Sequence, residues 1–263
     1  MLSPDARSLY TSALTPPPGF VFDQAIATTF SLDPLTLLGI PLHLALLGRS
    51  KDVLSDPIAL LEALRRTAGR ITLYVENSRI QAPKNDLVLY GLLESMIVQV
   101  SAPNGGVFHP KLWALRFVEP GEDSPPFLRL LVLSRNLTTD RSWDLALQLE
   151  GRPAGGNIAA NRGLGELFRD LPTMAVGKLD DSRRSQAALI GDEIRRTRWE
   201  LPDGYEQVAF HVLGRQSRLW TPPYSQRLAV ISPFVTGPAL EHLRKATDEL
   251  TGVIARPDRK SVV

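Results

Sequence analysis

The chain has 263 residues, 43% hydrophobic and 22% charged, with a formal charge of +2. That balance describes one large globular domain or two small ones, and it excludes disordered, collagen-like and coiled-coil classes. The lack of any cysteine excludes a disulfide framework, a thiolate metal site and a thiol nucleophile.

Met1 to Pro18 carries no basic start followed by an apolar run, so it does not read as a signal peptide. Residues 1–21 instead read as an arm draped on the surface, with Pro16-Pro17-Pro18 in it. A strand is predicted over Phe22–Phe30, stopped at Ser31-Leu32-Asp33-Pro34. Asp33 suits an N-cap and Pro34 a first helical residue. The apolar run that follows, Pro34 to Gly48, falls short of the ~20 residues of a membrane span and reads as a buried helix. Ser55-Asp56-Pro57 repeats the start signal before a helix over Ile58–Arg66. Strands are predicted at Arg70–Glu76, Ile97–Val100, Lys111–Val118 and Leu128–Ser134, with a helix over Leu87–Met96. Glu150-Gly151 reads as a turn. Strands alternating with helices predict an α/β fold, a layered sheet flanked by helices on both faces.

After Gly151, Arg152-Pro153-Ala154-Gly155-Gly156-Asn157 has loop chemistry. Helices are predicted near Asn161–Asp170 and Ser182–Trp199, and a strand at Gln207–Leu213. The second helix carries Arg183, Arg184, Arg195, Arg196 and Arg198. The basic side of the chain is 24 Arg against 6 Lys, and those arginines fit a solvated face or phosphate contacts. The last segment predicts a strand at Arg227–Ser232, a helix from Pro238 to Leu250 and a strand at Gly252–Arg256. Phe234 precedes Pro238 as Phe30 precedes Pro34, and the element order matches, which suggests an internal duplication. The domains expected are thus the arm, a first lobe over 22–151, a helical connector over 152–225 and the start of a second lobe over 226–263.

The chemistry concentrates in Phe108-His109-Pro110-Lys111-Leu112-Trp113 and in Leu131-Val132-Leu133-Ser134-Arg135-Asn136-Leu137. Residues two apart on a strand share a face, so His109 and Lys111 face one pocket, and Ser134 and Asn136 another strand end beside it. Together they supply one potential nucleophile, one fixed cation and neutral hydrogen-bonding groups. Such a set suits a phosphodiester, whose nonbridging oxygens need charge-assisted donors during in-line attack. Trp143-Asp144 shapes the same pocket or belongs to the core. The sequence holds no Walker loop, dinucleotide fingerprint, zinc spacing or G-x-S-x-G, so no cofactor or metal is expected.

His109-x-Lys111 with Ser134-x-Asn136 resembles one half-site of the phospholipase D superfamily, with Thr28-Thr29-Phe30 upstream, most of all its bacterial nuclease-type members. The resemblance covers residues 22–151, and 227–256 resembles the start of the second lobe. Arg116 stands where the family usually has an aspartate, five positions after the lysine. Tyrosyl-DNA phosphodiesterases also lack it. The stretch PGEDSPP over Pro120–Pro126 reads as a loop insertion that lengthens the gap between Lys111 and Ser134. The resemblance implies a metal-independent phosphodiesterase with one histidine from each lobe. His109 would attack phosphorus to form a phosphohistidine, Lys111 and Asn136 would hold nonbridging oxygens, and Ser134 would orient them.

Neither His211 nor His242 is followed by the lysine of the pattern, and the Phe30-to-His109 spacing laid from Phe234 falls beyond Val263. The tail Asp258–Val263, DRKSVV, looks like a reading frame of a sequencing adapter. The expectation is therefore a fragment, cytoplasmic, without a membrane partner and inactive by itself. A second lobe or a second copy would complete the site. Its expected partner is nucleic acid. The alternatives are a catalytically degenerate binding module and a lipid phosphodiesterase.

Overall fold

Strand β1 (Val21–Thr29) is buried on both faces from Ala25 to Thr29, and the rest of the first unit is laid down around it. In the computed structural model the described residues are 9–46, 56–83, 88–139, 144–214, 220–232 and 235–255. Trp143, Phe234 and the tail Asp258–Val263 lie outside them. The chain divides into two units, Met1–Phe210 and His211–Val263.

The first unit holds a seven-stranded mixed sheet in the order β3-β2-β1-β4-β5-β6-β7. β2 (Ile71–Glu76) and β3 (Ile97–Val100) run parallel to β1, each reached through helical connections. β4 (Leu112–Val118), β5 (Phe127–Leu133), β6 (Ala146–Pro153) and β7 (Thr197–Glu200) follow as an antiparallel run. Alternation along the strands sends Ala25, Ala27, Leu73, Val75, Trp113, Leu115 and Phe117 to one core. There they meet α1 (Tyr10–Leu14), α2 (Pro34–Leu46) and α4 (Gly91–Glu94) through Leu14, Leu37, Ile40, Leu44 and Leu93. α2 begins as predicted, with Asp33 Oδ1 accepting from Leu35 N at 2.9 Å. α3 (Pro57–Ala68) is capped by Asp56, whose carboxylate accepts from Ile58 N and Ala59 N.

The opposite face is covered by α6 (Asp181–Arg196), so the helices do flank both faces. Gln186 of α6 donates to Arg70 O at 3.0 Å, Arg183 donates to Ile71 O at 2.9 Å, and both meet the buried Thr72 hydroxyl. Arg183 is thus spent inside the fold, against the expectation of a free basic face. α5 (Arg162–Asp170) crosses α6 at Gly165 and Gly191. A Cβ on either glycine would sit 2.7 Å from the other's carbonyl oxygen, so only glycines permit this approach.

Across the same face runs an ion-pair chain. Arg116 of β4 meets Asp23 of β1 at 2.5 Å and Glu193 of α6 at 3.0 Å, with Glu193 nearly sealed from solvent. This arginine therefore ties two strands to a helix.

Several predicted elements are displaced. The segment expected as a surface arm buries Leu14 completely and offers the carbonyls of Ala13 and Thr15 to Arg129. Of the helix predicted over Leu87–Met96, the described residues form only a 3-10 turn (Val88–Tyr90) and the single turn of α4. Glu150-Gly151 is strand rather than turn. Gly151 has no side chain to hold off Arg198 O, and that lets β7 pair with β6. That pairing ends α6 at Arg196, where the sequence suggested helix through Trp199. Gln207–Leu213 forms no strand; Phe210 instead donates its N–H to Ala160 O and packs its ring edge-on to Trp199.

The other edge of the sheet is closed by a loop. Val176 N donates to Gln99 O at 3.0 Å and Ser101 N to Met174 O at 3.0 Å, with Ala175 bridged to Val100.

The second unit has β8 (Ser225–Ile231) parallel to β9 (Thr247–Ile254), joined by α7 (Gly237–Arg244). Thr236 caps α7 and Pro238 sits in its first turn. The helix is shorter than predicted because β9 already begins at Thr247, opposite Ser225. Strand, helix and parallel strand thus recur in both units.

Replacing Arg116 with Met should lower stability by about 3–5 kcal/mol, because Glu193 is left ionised and buried without a partner. Urea unfolding measures it, and the Arg116→Met/Glu193→Met double variant should recover most of the loss.

Candidate active site

Two buried threonines at the end of β1 assemble the site. Thr28 Oγ1 accepts from Leu112 N at 3.0 Å, and Thr29 Oγ1 accepts from Leu137 N at 3.1 Å. Leu112 follows Lys111, and Leu137 follows Asn136. The two motifs are therefore tied to neighbouring residues of one strand, whose Cα atoms are 3.8 Å apart. Asp33 N adds a bond to Leu137 O at 2.7 Å, and Leu133 N reaches Lys111 O at 2.9 Å.

His109 and Lys111 are in direct contact. Lys111 Nζ lies 3.0 Å from Nδ1 and 3.2 Å from Nε2 of the imidazole, and 3.2 Å from His109 O. An ammonium has only donors, so its contact with the ring favours the neutral imidazole. Partial burial of the ring, and after it the Lys111 charge, both push the His109 pKa below its ordinary value. Burial likewise lowers that of Lys111. Lys111 is only 9% exposed, and among the described residues no carboxylate pairs with it. Such a cation is a standing electrostatic cost that an anionic ligand would relieve. The His109 ring itself is open to solvent.

The surroundings come from elements far away in sequence. Glu76, the last residue of β2, accepts from Phe108 N at 2.8 Å and fixes the backbone before His109. The Phe30 ring packs on the imidazole, with centroids 5.0 Å apart. Sequence reasoning missed Glu76. A hydrophobic strand ending in a carboxylate was its only signal.

Of the other predicted residues, Asn136 directly precedes the clamped Leu137, and its Oδ1 is buried without a hydrogen-bond partner among the described residues. Ser134 is committed elsewhere. Its hydroxyl donates to Asp144 Oδ1 at 3.0 Å and accepts from Leu145 N at 2.9 Å, which braces the start of β6. His43 meets Thr15 at 3.1 Å, His211 packs on Trp220, and His242 contacts Thr221 and Trp220 O. Among the described residues no group of three or more His, Asp or Glu could hold a metal ion. No described helix is long and apolar enough to cross a membrane.

No family model matches the chain, and no curated protein matches it. Among solved structures it is similar to yeast tyrosyl-DNA phosphodiesterase, at 12% identity and a TM-score of 0.40, over 66% of this chain and 35% of that one. It is also similar to polyphosphate kinase from Porphyromonas gingivalis, at 17% identity and a TM-score of 0.30, over 65% of this chain and 24% of that one. The chain spans about a third of the first and a quarter of the second.

The His109 ring should titrate below ~6.5 in the folded chain, the ordinary histidine value, when followed by NMR. Lys111→Met should raise that midpoint by removing the charge. Because the folded state binds fewer protons than the unfolded one just below ~6.5, stability falls as pH drops through that window.

Proposed function

We propose that the chain is the nucleophile-bearing half of a phospholipase D-type phosphodiesterase that acts on nucleic acid. What carries the reading is the contact between a solvent-open His109 and a buried Lys111 that has no carboxylate partner among the described residues. A phosphodiester entering there would give Lys111 its missing counter-charge and place phosphorus against the imidazole. The ring nitrogen then attacks phosphorus, the P–O bond to the leaving group breaks, and a phosphohistidine that keeps the one remaining ester bond results. Water displaces the histidine in a second step. Asn136, one residue before the Thr29 clamp and with its buried Oδ1 unpartnered, shares the nonbridging oxygens with Lys111. Ser134 acts at one remove, by bracing the strand end that carries Asn136. The leaving alkoxide of a natural substrate needs a proton, and a second histidine from another lobe or copy would provide it. No residue in this mechanism requires a metal.

A substrate with an activated leaving group tests the half-site alone. p-Nitrophenolate departs without protonation, so bis(p-nitrophenyl) phosphate should phosphorylate the full chain and release one burst of p-nitrophenolate. The adduct should be base-stable and acid-labile. His109→Ala should abolish the burst, and Lys111→Ala should slow it by about 10²–10³, the usual loss for a single charge-stabilising donor. Chelator should leave it unchanged. An adduct that survives in His109→Ala would overturn the reading, as would strict dependence on Mg²⁺. Nucleic-acid binding without any adduct would instead identify a degenerate binding module.

A further inference from the structure

Beside the His109–Lys111 pair stands a second cation that the chemistry above does not use. The Arg79 guanidinium carbon lies 5.0 Å from the centre of the Phe30 ring, the same ring whose centroid is 5.0 Å from that of His109. Those two separations put the guanidinium no more than 10 Å from the imidazole. Arg79 is exposed, and among the described residues no carboxylate is paired with it.

Its placement is rigid. Ser78 adopts a left-handed φ of 61°, a conformation a non-glycine residue takes only when its surroundings hold it there. Asn77 N donates to Val100 O at 2.8 Å, Ser78 N to Gln99 Oε1 at 3.2 Å, and Arg79 N to Glu76 O at 3.2 Å. On the far side of the turn Leu32 N donates to Arg79 O at 3.1 Å, and Gln81 N returns a bond to Leu32 O at 2.8 Å. Glu76 serves both cations. Its carbonyl secures Arg79 and its carboxylate secures the residue before His109.

A guanidinium poised over an aromatic ring, with no carboxylate partner among the described residues, matches a phosphate in a two-pronged contact. A nucleic-acid strand carries one charge per ~3.4 Å of axis, so a reach of up to 10 Å covers the scissile phosphate and its neighbours. We propose that Arg79, seated on Phe30, binds a phosphate adjacent to the scissile one. The site would then select a strand with consecutive phosphates over an isolated diester. This rests on the proposed phosphodiesterase reading and names its substrate class as a polynucleotide strand. Phe30 is a positioning residue that sets the spacing between Arg79 and His109.

The test is binding of a fluorescein-labelled oligothymidylate to the full chain, followed by anisotropy across a salt series. Arg79→Ala should weaken binding about tenfold and make the slope of log K against log salt shallower by ~0.7, the loss of one contact to single-stranded nucleic acid. Arg79→Lys should keep the slope and lose affinity. Inorganic polyphosphate should compete poorly; if it binds while the oligonucleotide does not, the substrate class is wrong. Unchanged affinity and slope in Arg79→Ala, with binding still weakened by Lys111→Ala, overturns this inference and leaves the phosphodiesterase reading standing. A wild-type chain that binds neither ligand overturns both.

Discussion

Two threonine hydroxyls at the end of β1 hold the site together. Thr28 and Thr29 are sealed from solvent, yet neither spends its oxygen within its own strand's ladder. Each accepts from the backbone of a separate segment, Leu112 in one case and Leu137 in the other. A strand end is otherwise where pairing frays. Here it becomes the point to which the histidine-lysine and asparagine segments are both pinned. Valine would fill nearly the same space at either position and would leave two buried amides without partners.

That constraint explains why the electrostatics can be as costly as they are. Lys111 is buried beside an imidazole rather than a carboxylate, an arrangement that favours neutral forms of both groups. Backbone bonds at Lys111 O and at Leu112 N fix the main chain that carries it. By contrast the fold does neutralise Arg116, which joins Asp23 and Glu193, and Arg129, which joins Glu150.

The legible parts of the fold were those written locally. The starts of α2 and α3 carry their caps at Asp33 and Asp56, and the central strands show as short β-rich runs. The misread parts depend on partners far along the chain. β7 is a strand because Gly151 opens a place for it, and nothing within Thr197–Glu200 announces that. The same division holds at the site. His109-x-Lys111 was visible as a pattern, but the bond from Phe108 to Glu76 and the stacking of Arg79 on Phe30 join residues about 30 to 50 positions apart or set by a strained turn. Ser134 fitted the pattern, and only its contacts with Asp144 and Leu145 reveal a bracing duty.

The treatment of the sheet's two margins governs how copies of the first unit can meet. At β3 the loop from Met174 to Val176 already takes the hydrogen bonds that an incoming strand would need. At β7 the margin is only four residues long, and its outward side chains are Arg198 and Glu200. A second copy offering a strand finds one margin occupied and the other short and charged, the two commonest defences against edge-to-edge fusion. Sheet extension is therefore closed as a route to self-association, and the first unit can hold an open, cation-rich site at the end of its strands without polymerising through them.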